Sequence, residues 1–248
     1  MLDVKNMNVR QTMSQSQDLS HIRAVLFDLD GTLVDTSGDL RAALNYVLQK
    51  INRPIMDESH VRHLTGHGAK ALLERGLRDS GGLPEDIHMD ELLNDFLSYY
   101  RNNLTVHSHF FPGAEAALKQ LQDHGIALAV CTNKPHQLAL QLLSELAGTD
   151  YFQTIKGREA VSIPKPDKAH LLEALAALQC NPDDTVMIGD SYNDIEAARR
   201  ARIASIAVDF GYSNVPVSTL KPDAIISSYN DLTPCLATIS ASHQLHKL

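Results

Sequence analysis

The chain has little that would suit it to an oxidising compartment, a lipid bilayer or a polyanionic partner. Its three cysteines, Cys131, Cys180 and Cys235, are widely spaced and odd in number. Neither a disulfide framework nor a zinc-ligand spacing follows, and a reducing cytoplasm is the simplest compartment. No apolar run approaches the roughly 20 residues needed to cross a bilayer, which speaks against a membrane partner. Residues 1–20 are rich in Gln, Ser, Asn and Met and lack the apolar centre of a secretory signal, so they read as a mobile N-terminal tail. No basic stripe is present to meet a phosphate backbone, and a formal net charge of −8 argues against nucleic acid.

What is there is the composition of a soluble globular protein. With 44% hydrophobic and 21% charged residues in a chain of 248, one large domain, or a domain with an insert, can surround a sizeable core. Short apolar runs recur at 24–27, 126–131, 185–188, 203–208 and 224–226, with a weaker one at 152–155. Between them lie helical patterns at 114–122, 137–146, 167–178 and 193–201, the last with Ile195, Ala197 and Ala198 facing inward. Strand and helix alternating through short turns imply a parallel sheet with right-handed crossovers. The expected fold is α/β, a doubly wound parallel-sheet core formed by 21–36 and 111–248.

One stretch breaks the alternation. From 37 to 110 the apolar spacing is helical throughout: Leu40/Ala43/Leu44/Val47/Leu48, Val61/Leu64, Ala71/Leu72 and 91–100. It is interrupted at Thr65-Gly66-His67-Gly68 and Ser80-Gly81-Gly82-Leu83-Pro84. An all-helical block inserted directly after the first strand reads as a cap domain whose two ends emerge beside that strand's acidic end.

The acids at that end are Asp28 and Asp30, in Phe27-Asp28-Leu29-Asp30-Gly31-Thr32. Ligands of open α/β sheets bind beyond the carboxyl ends of the strands. Alternation points both carboxylates to one side and Leu29 to the other. Two close carboxylates repel unless a cation lies beside them or one stays protonated. An Asp/Gly turn that merely ends a strand is the plain alternative. Thr132 and Asn133 close the next strand with hydroxyl, amide and free backbone N–H groups suited to an anion, or equally to capping the following helix. Lys165, between Pro164 and Pro166, is held on a stiff backbone lacking two N–H donors, which suits a charge-neutralising lysine, a plain loop lysine being the alternative. Asp190 and Asp194, four residues apart after Gly189, offer the hard oxygens that Mg²⁺ prefers, or a helix cap and a favourable dipole charge. Four strand ends bearing such sets together are hard to explain by capping alone. Cys131, with no base suggested nearby, reads as a core thiol.

In this order the motifs, from Ala24 to about Tyr212, resemble the haloacid dehalogenase-type phosphohydrolase superfamily. The helical insert and the strings Thr65-Gly66-His67-Gly68-Ala69, Phe111-Pro112-Gly113, Cys131-Thr132-Asn133-Lys134 and Phe210-Gly211-Tyr212 are similar to its phosphoglycolate phosphatase branch. Lys168 and Arg202 depart from that branch. The resemblance implies a Mg²⁺-dependent hydrolase of a small phosphomonoester, 2-phosphoglycolate first, acting through an aspartyl phosphate. It implies Asp28 as nucleophile and Asp30 as general acid and then base. Thr132, Asn133 and Lys165 would bind phosphate. Asp28, Asp30 through its backbone carbonyl, and Asp190 would hold the metal, with Asp194 in an outer or alternate place. Asp28, beside metal and lysine, is expected to stay ionised, whereas Asp30 need not. Thr65, His67 and Lys70 flank a glycine-bracketed turn in the insert and are candidates for reading the leaving group.

A sugar-phosphate phosphatase or a phosphomutase needs the same four motifs and stays open. A hydrolytic dehalogenase dispenses with the metal and the second aspartate. A receiver-like switch or other non-catalytic phosphate-binding module gathers similar groups but carries no such insert after its first strand. Monomer and homodimer are both left open.

Overall fold

A computed structural model of the chain describes residues 19–57 and 68–245. Among the described residues the strands are β1 (Ala24–Phe27), β2 (Val34–Asp35), β3 (His109–Phe110), β4 (Ala127–Cys131), β5 (Thr154–Lys156), β6 (Thr185–Gly189), β7 (Ala204–Val208) and β8 (Ala224–Ile226). The α-helices are α1 (Ser37–Lys50), α2 (Ala69–Asp79), α3 (Met89–Asn102), α4 (Ala114–Asp123), α5 (His136–Glu145), α6 (Ala169–Leu178), α7 (Tyr192–Ala201) and α8 (Leu232–Leu245). None is long and apolar enough to cross a membrane.

Six strands form one parallel sheet in the order β5-β4-β1-β6-β7-β8. The chain builds outward from β1 to β5, then returns to the other side of β1 with β6, the doubly wound arrangement the alternation predicts. Both faces are covered, which is why the strands read as unbroken apolar runs. Val25, Phe27, Leu128, Val130, Val186 and Ile188 cluster with α4, α5 and α8 on one side. Ala24, Leu26, Ala129, Cys131 and Met187 meet α6 and α7 on the other. Each large side chain buried in this way contributes about 1.5–3 kcal/mol.

Three local expectations shift. β5 begins at Thr154 rather than 152, because Phe152 is used to pack its ring edge against Phe27 at 6.5 Å. α6 begins at Ala169 rather than 167, because Asp167 Oδ1 accepts the Ala169 N–H at 2.8 Å and so ends the preceding turn. His109 and Phe110, read as part of the helical insert, form β3 antiparallel to β2, with Val34 opposite Phe110. A two-residue strand is too short to register as a period.

The described residues between β2 and β3 form α1, α2 and α3, which pack on one another through Leu44, Val47, Leu72, Leu73, Leu92 and Phe96. Asp39, in the first turn of α1, accepts from His107 N (3.0 Å), Ser108 N (2.8 Å) and Ser108 Oγ (2.7 Å). That carboxylate fastens the way in to the way out. In register, Phe27 stands between Val130 and Ile188. Asp28, Thr132 and Asp190 therefore leave neighbouring strand ends at one rim, where the winding reverses.

Candidate active site

The turn after β1 is built to let acids approach one another. Gly31 has φ +81°, and a Cβ there would stand 2.6 Å from Asp190 Oδ2 and 2.7 Å from the Tyr212 ring. Only glycine closes this turn without displacing Asp190. Asp28, Asp190 and Asp194 each bring a carboxylate oxygen within 4.8 Å of the other two. Lys165 faces them, its Nζ 2.5 Å from Asp194 Oδ1 and 3.0 Å from Asp28 Oδ1.

One ammonium does not balance three acids. Burial pushes the Asp28 carboxyl up to about 7, with Lys165 opposing and Asp194 adding. Burial, then Asp194 and Asp28, raise Asp190 well above the usual carboxylate range. Burial alone would lower Lys165, but Asp194 and Asp28 outweigh it and the ammonium is held charged. Lys165 alone does not offset the burial of Asp28, so keeping its carboxylate ionised at neutral pH calls for a further positive charge beside it. Asp28 Oδ1 is buried and makes no hydrogen bond, lying in ion-pair range of Lys165 without hydrogen-bond alignment. A convergent set of hard oxygen donors, one of them orphaned, suits a small divalent cation.

The second acid of the pair goes elsewhere. Asp30 Oδ1 accepts from Lys134 Nζ at 2.9 Å and Thr36 Oγ1 at 2.8 Å, and Oδ2 lies 3.2 Å from Lys134 Nζ. Asp28 and Asp30 both line one cavity, as alternation from a shared strand end leads one to expect, but Asp30 is paired with a different cation. β1 ends at Phe27, and Leu33 N and Val34 N close the following turn on Leu29 O. The Asp30 carboxylate lies outside the acidic cluster of Asp28, Asp190 and Asp194. Lys134 is buried and also donates to Tyr100 Oη at 2.7 Å, so α3 reaches down to the rim.

The remaining bonds hold this frame. Asp190 Oδ2 accepts the Tyr212 N–H at 2.6 Å. Asp194 closes a capping box on α7, its Oδ2 accepting from Ser191 N (3.0 Å) and Ser191 Oγ (2.6 Å). The capping and acid-cluster readings are therefore both true of Asp194, one for each oxygen. Behind Lys165, whose peptide bond to Pro166 is cis, His170 is buried. Its Nδ1 lies 3.3 Å from Lys165 N and its Nε2 3.0 Å from Lys156 O. A carbonyl only accepts and an N–H only donates, so Nε2 carries the hydrogen and the ring is neutral. Burial, then the Lys165 charge, push it down to about 4.

A cavity of about 120 Å³ opens over these groups. Asp28, Asp30, Thr132 and Lys134 line it from below, and Leu40, Leu72, Leu97 and Tyr100 from α1–α3. Arg158 also lines it.

The sequence pattern of the haloacid dehalogenase-like hydrolases matches residues 25–208. The chain belongs to the haloacid dehalogenase-like hydrolase family. Among relatives, the phosphoglycolate phosphatase of Agrobacterium fabrum is 40% identical over 213 residues, covering 85% of this chain and 91% of its own. That of Caulobacter vibrioides is 38% identical over 230 residues, covering 93% and 97%. A crystal structure described as a predicted phosphoglycolate phosphatase from Haemophilus somnus has TM-score 0.80 at 30% identity, over 87% of this chain and 98% of that one. CbbY from Rhodobacter sphaeroides, crystallised in complex with phosphate, has TM-score 0.69 at 25% identity, over 85% and 96%.

In this haloacid dehalogenase-like hydrolase, Asp28, Lys165, Asp190 and Asp194 are brought together, and Thr132 and Asn133 line the same cavity. The backbone N–H of Thr132, expected to be free for an anion, donates to Lys156 O at 2.9 Å. Thr132 Oγ1 accepts from Lys134 N at 3.1 Å. Asn133 gives its Nδ2 to Lys165 O at 2.8 Å, and its Oδ1 is buried without a partner. Its amide braces the Lys165 turn. Lys70 is exposed on α2 and does not line the cavity, although Gly68, Ala69 and Leu72 do. Thr65 and His67, like Val61 and Leu64, lie outside the described residues.

Sequence reasoning passed over Lys134, Tyr100, His170 and Arg158. Lys134 stood within the string that resembled the phosphoglycolate phosphatase branch, yet nothing in its spacing pointed to Asp30. Tyr212 stood in another such string. Its hydroxyl donates to Asp35 (2.8 Å) and accepts from Thr36 N (2.6 Å) and Ser37 N (3.0 Å), tying the loop after β7 to the start of α1.

Proposed function

We propose that this hydrolase is a Mg²⁺-dependent phosphatase of a small phosphomonoester, 2-phosphoglycolate being the leading substrate, and that it works through an aspartyl phosphate on Asp28. The observation that carries the reading is the meeting of Asp28 with Lys165, Asp190 and Asp194 at the rim where the sheet reverses. The full-length likeness to proteins named phosphoglycolate phosphatase supports the choice of ester. Asp28, Asp190 and the backbone carbonyl of Asp30 would hold Mg²⁺, with Asp194 behind them on Lys165 and Ser191. Bound there, the ion neutralises charge so that an anionic carboxylate can meet an anionic phosphate.

Asp28 attacks phosphorus in line with the leaving oxygen, whose bond to phosphorus breaks. Asp30 gives that oxygen its proton. It then takes a proton from the water that attacks the aspartyl phosphate, releasing inorganic phosphate and restoring Asp28. Thr132 and Lys165 hold the non-bridging oxygens. Helices α1–α3 serve as a cap that excludes water and confines the leaving group, with Leu40, Leu72 and Leu97 as its apolar lining. A cavity of about 120 Å³ is small beside the about 300–1,000 Å³ of drug-sized ligand sites, which favours a short ester. A sugar phosphate stays the second reading, because a sugar-phosphate phosphatase needs the same four motifs. Three unpaired cysteines fit a cytoplasmic setting.

Replacing the nucleophile tests the mechanism. Asp28→Asn should lower phosphate release about 10³-fold or more while circular dichroism and Tm show a retained fold. Release at the wild-type rate would sink the assignment. A panel of esters assayed with Mg²⁺ and with chelator ranks 2-phosphoglycolate against sugar phosphates.

A further inference from the structure

Arg158 follows β5, and its backbone N–H donates to Lys134 O at 3.0 Å. That bond fixes its Cα beside the loop that carries Thr132 and Lys134. Its side chain lines the cavity over Asp28 and Asp30. Arg158 is exposed at the mouth of the cavity, and among the described residues its guanidinium has no hydrogen bond and no ion pair, so water reaches it. The adjacent acid, Glu159, is taken up by His136 N at 2.8 Å.

The other cations of the site are already engaged. Lys134 holds Asp30 and Tyr100, and Lys165 holds Asp28 and Asp194. Once a phosphoryl group has taken Asp28, Thr132 and Lys165, the rest of the ester meets Asp30, an apolar wall from α1–α3 and the exposed guanidinium of Arg158, the one cation lining the cavity without an acidic partner among the described residues. Arginine in that position offers a planar fork of donors that matches a carboxylate. A neutral or hydroxyl-rich leaving group would leave it to solvent and gain no charge-assisted pair.

We infer that Arg158 is a specificity-determining residue that pairs with a carboxylate on the leaving group, so that the substrates are phosphomonoesters of small hydroxy acids. The inference rests on the phosphatase reading above and names its substrate class.

The test compares two esters of similar size, 2-phosphoglycolate and 2-hydroxyethyl phosphate, on the wild type, Arg158→Gln and Arg158→Lys, with Mg²⁺ present. The ratio of kcat/KM for the acidic over the neutral ester should fall roughly tenfold in Arg158→Gln, through KM, as loss of one charge-assisted pair demands. Arg158→Lys should retain part of the ratio. Added salt should lower the wild-type ratio more than that of Arg158→Gln. An unchanged ratio in Arg158→Gln, or a wild type that hydrolyses only the neutral ester, overturns the inference and leaves the phosphatase reading standing. A wild type that hydrolyses neither ester overturns both.

Discussion

His170 illustrates how a residue away from the chemistry can set it. It accepts the Lys165 N–H on one ring nitrogen and donates to Lys156 O with the other, while Lys156 O also receives Thr132 N. The two chain segments that carry Thr132 and Lys165, the proposed phosphate-binding groups, are thereby joined through one neutral ring. His170→Leu strands a buried donor and weakens the satisfaction of a carbonyl, at about 1–3 kcal/mol for each group left unpaired. The variant should lose stability and, because Lys165 is loosened, raise KM for the ester roughly tenfold. His170→Asn, which can place an acceptor near the Nδ1 position, should recover much of KM without recovering all of Tm. A stability loss with KM unmoved in both variants would reduce His170 to core packing. Of the site residues, Asp28, Lys165, Asp190 and Asp194 were legible because each sits in a local string that ends a strand or opens a helix. His170 was not, since a histidine within an apolar helix gives no sign of the turn it will meet.

Among the elements, those that follow an apolar run were readable, even strands of three or four residues, and the two-residue strands were not. β1 and β8 fall where the apolar runs place them, whereas β3 has two residues and no period to detect. The consequence for function lies in α3. Its Tyr100, buried and pushed up to about 12 by desolvation, keeps its phenol proton and receives Lys134 Nζ. Lys134 in turn holds Asp30, so an element from the helical insert helps to seat the proposed acid. Tyr100→Phe preserves the ring against Phe96, 6.1 Å away, and removes only the hydroxyl. Because an aryl leaving group needs no proton, kcat for an alkyl ester should fall several-fold more than kcat for an aryl phosphate. Equal losses on the two, or none, would show that the tie does not seat Asp30.

At the scale of the whole molecule, the buried acids couple folding to pH and to cation. Asp28 titrates near 7 when folded against 3.8 in the unfolded chain, and Asp190 is raised in the same sense. Without a cation, the contribution of Asp28 to stability is full below pH 3.8 and is lost as pH rises through 7, and that of Asp190 is likewise lost on raising the pH. His170 runs the other way: lowered from 6.5 to about 4, it contributes above 6.5 and is lost as pH falls. Comparing Mg²⁺-loaded with chelated protein at each pH cancels the histidine. The increase in Tm on adding Mg²⁺ should therefore be small at pH 5 and largest at pH 8. At 100 times its Kd the ion contributes about 2.7 kcal/mol, about 5–10 °C for a chain of this size. Scanning calorimetry that finds equal shifts at both pH values would remove the acids as the cation's seat.

The amino-acid sequence by itself determined the alternation of strand and helix, the helical interruption, and which strand ends carry acids, hydroxyl and lysine. Those features depend on neighbours within a few positions, where period and turn chemistry act. Only the tertiary structure decided that Asp30 pairs with Lys134, 104 positions along the chain, and that Arg158 reaches the mouth of the same cavity. A buried side chain takes its partner from whatever distant element packs against it, and no local pattern encodes that meeting.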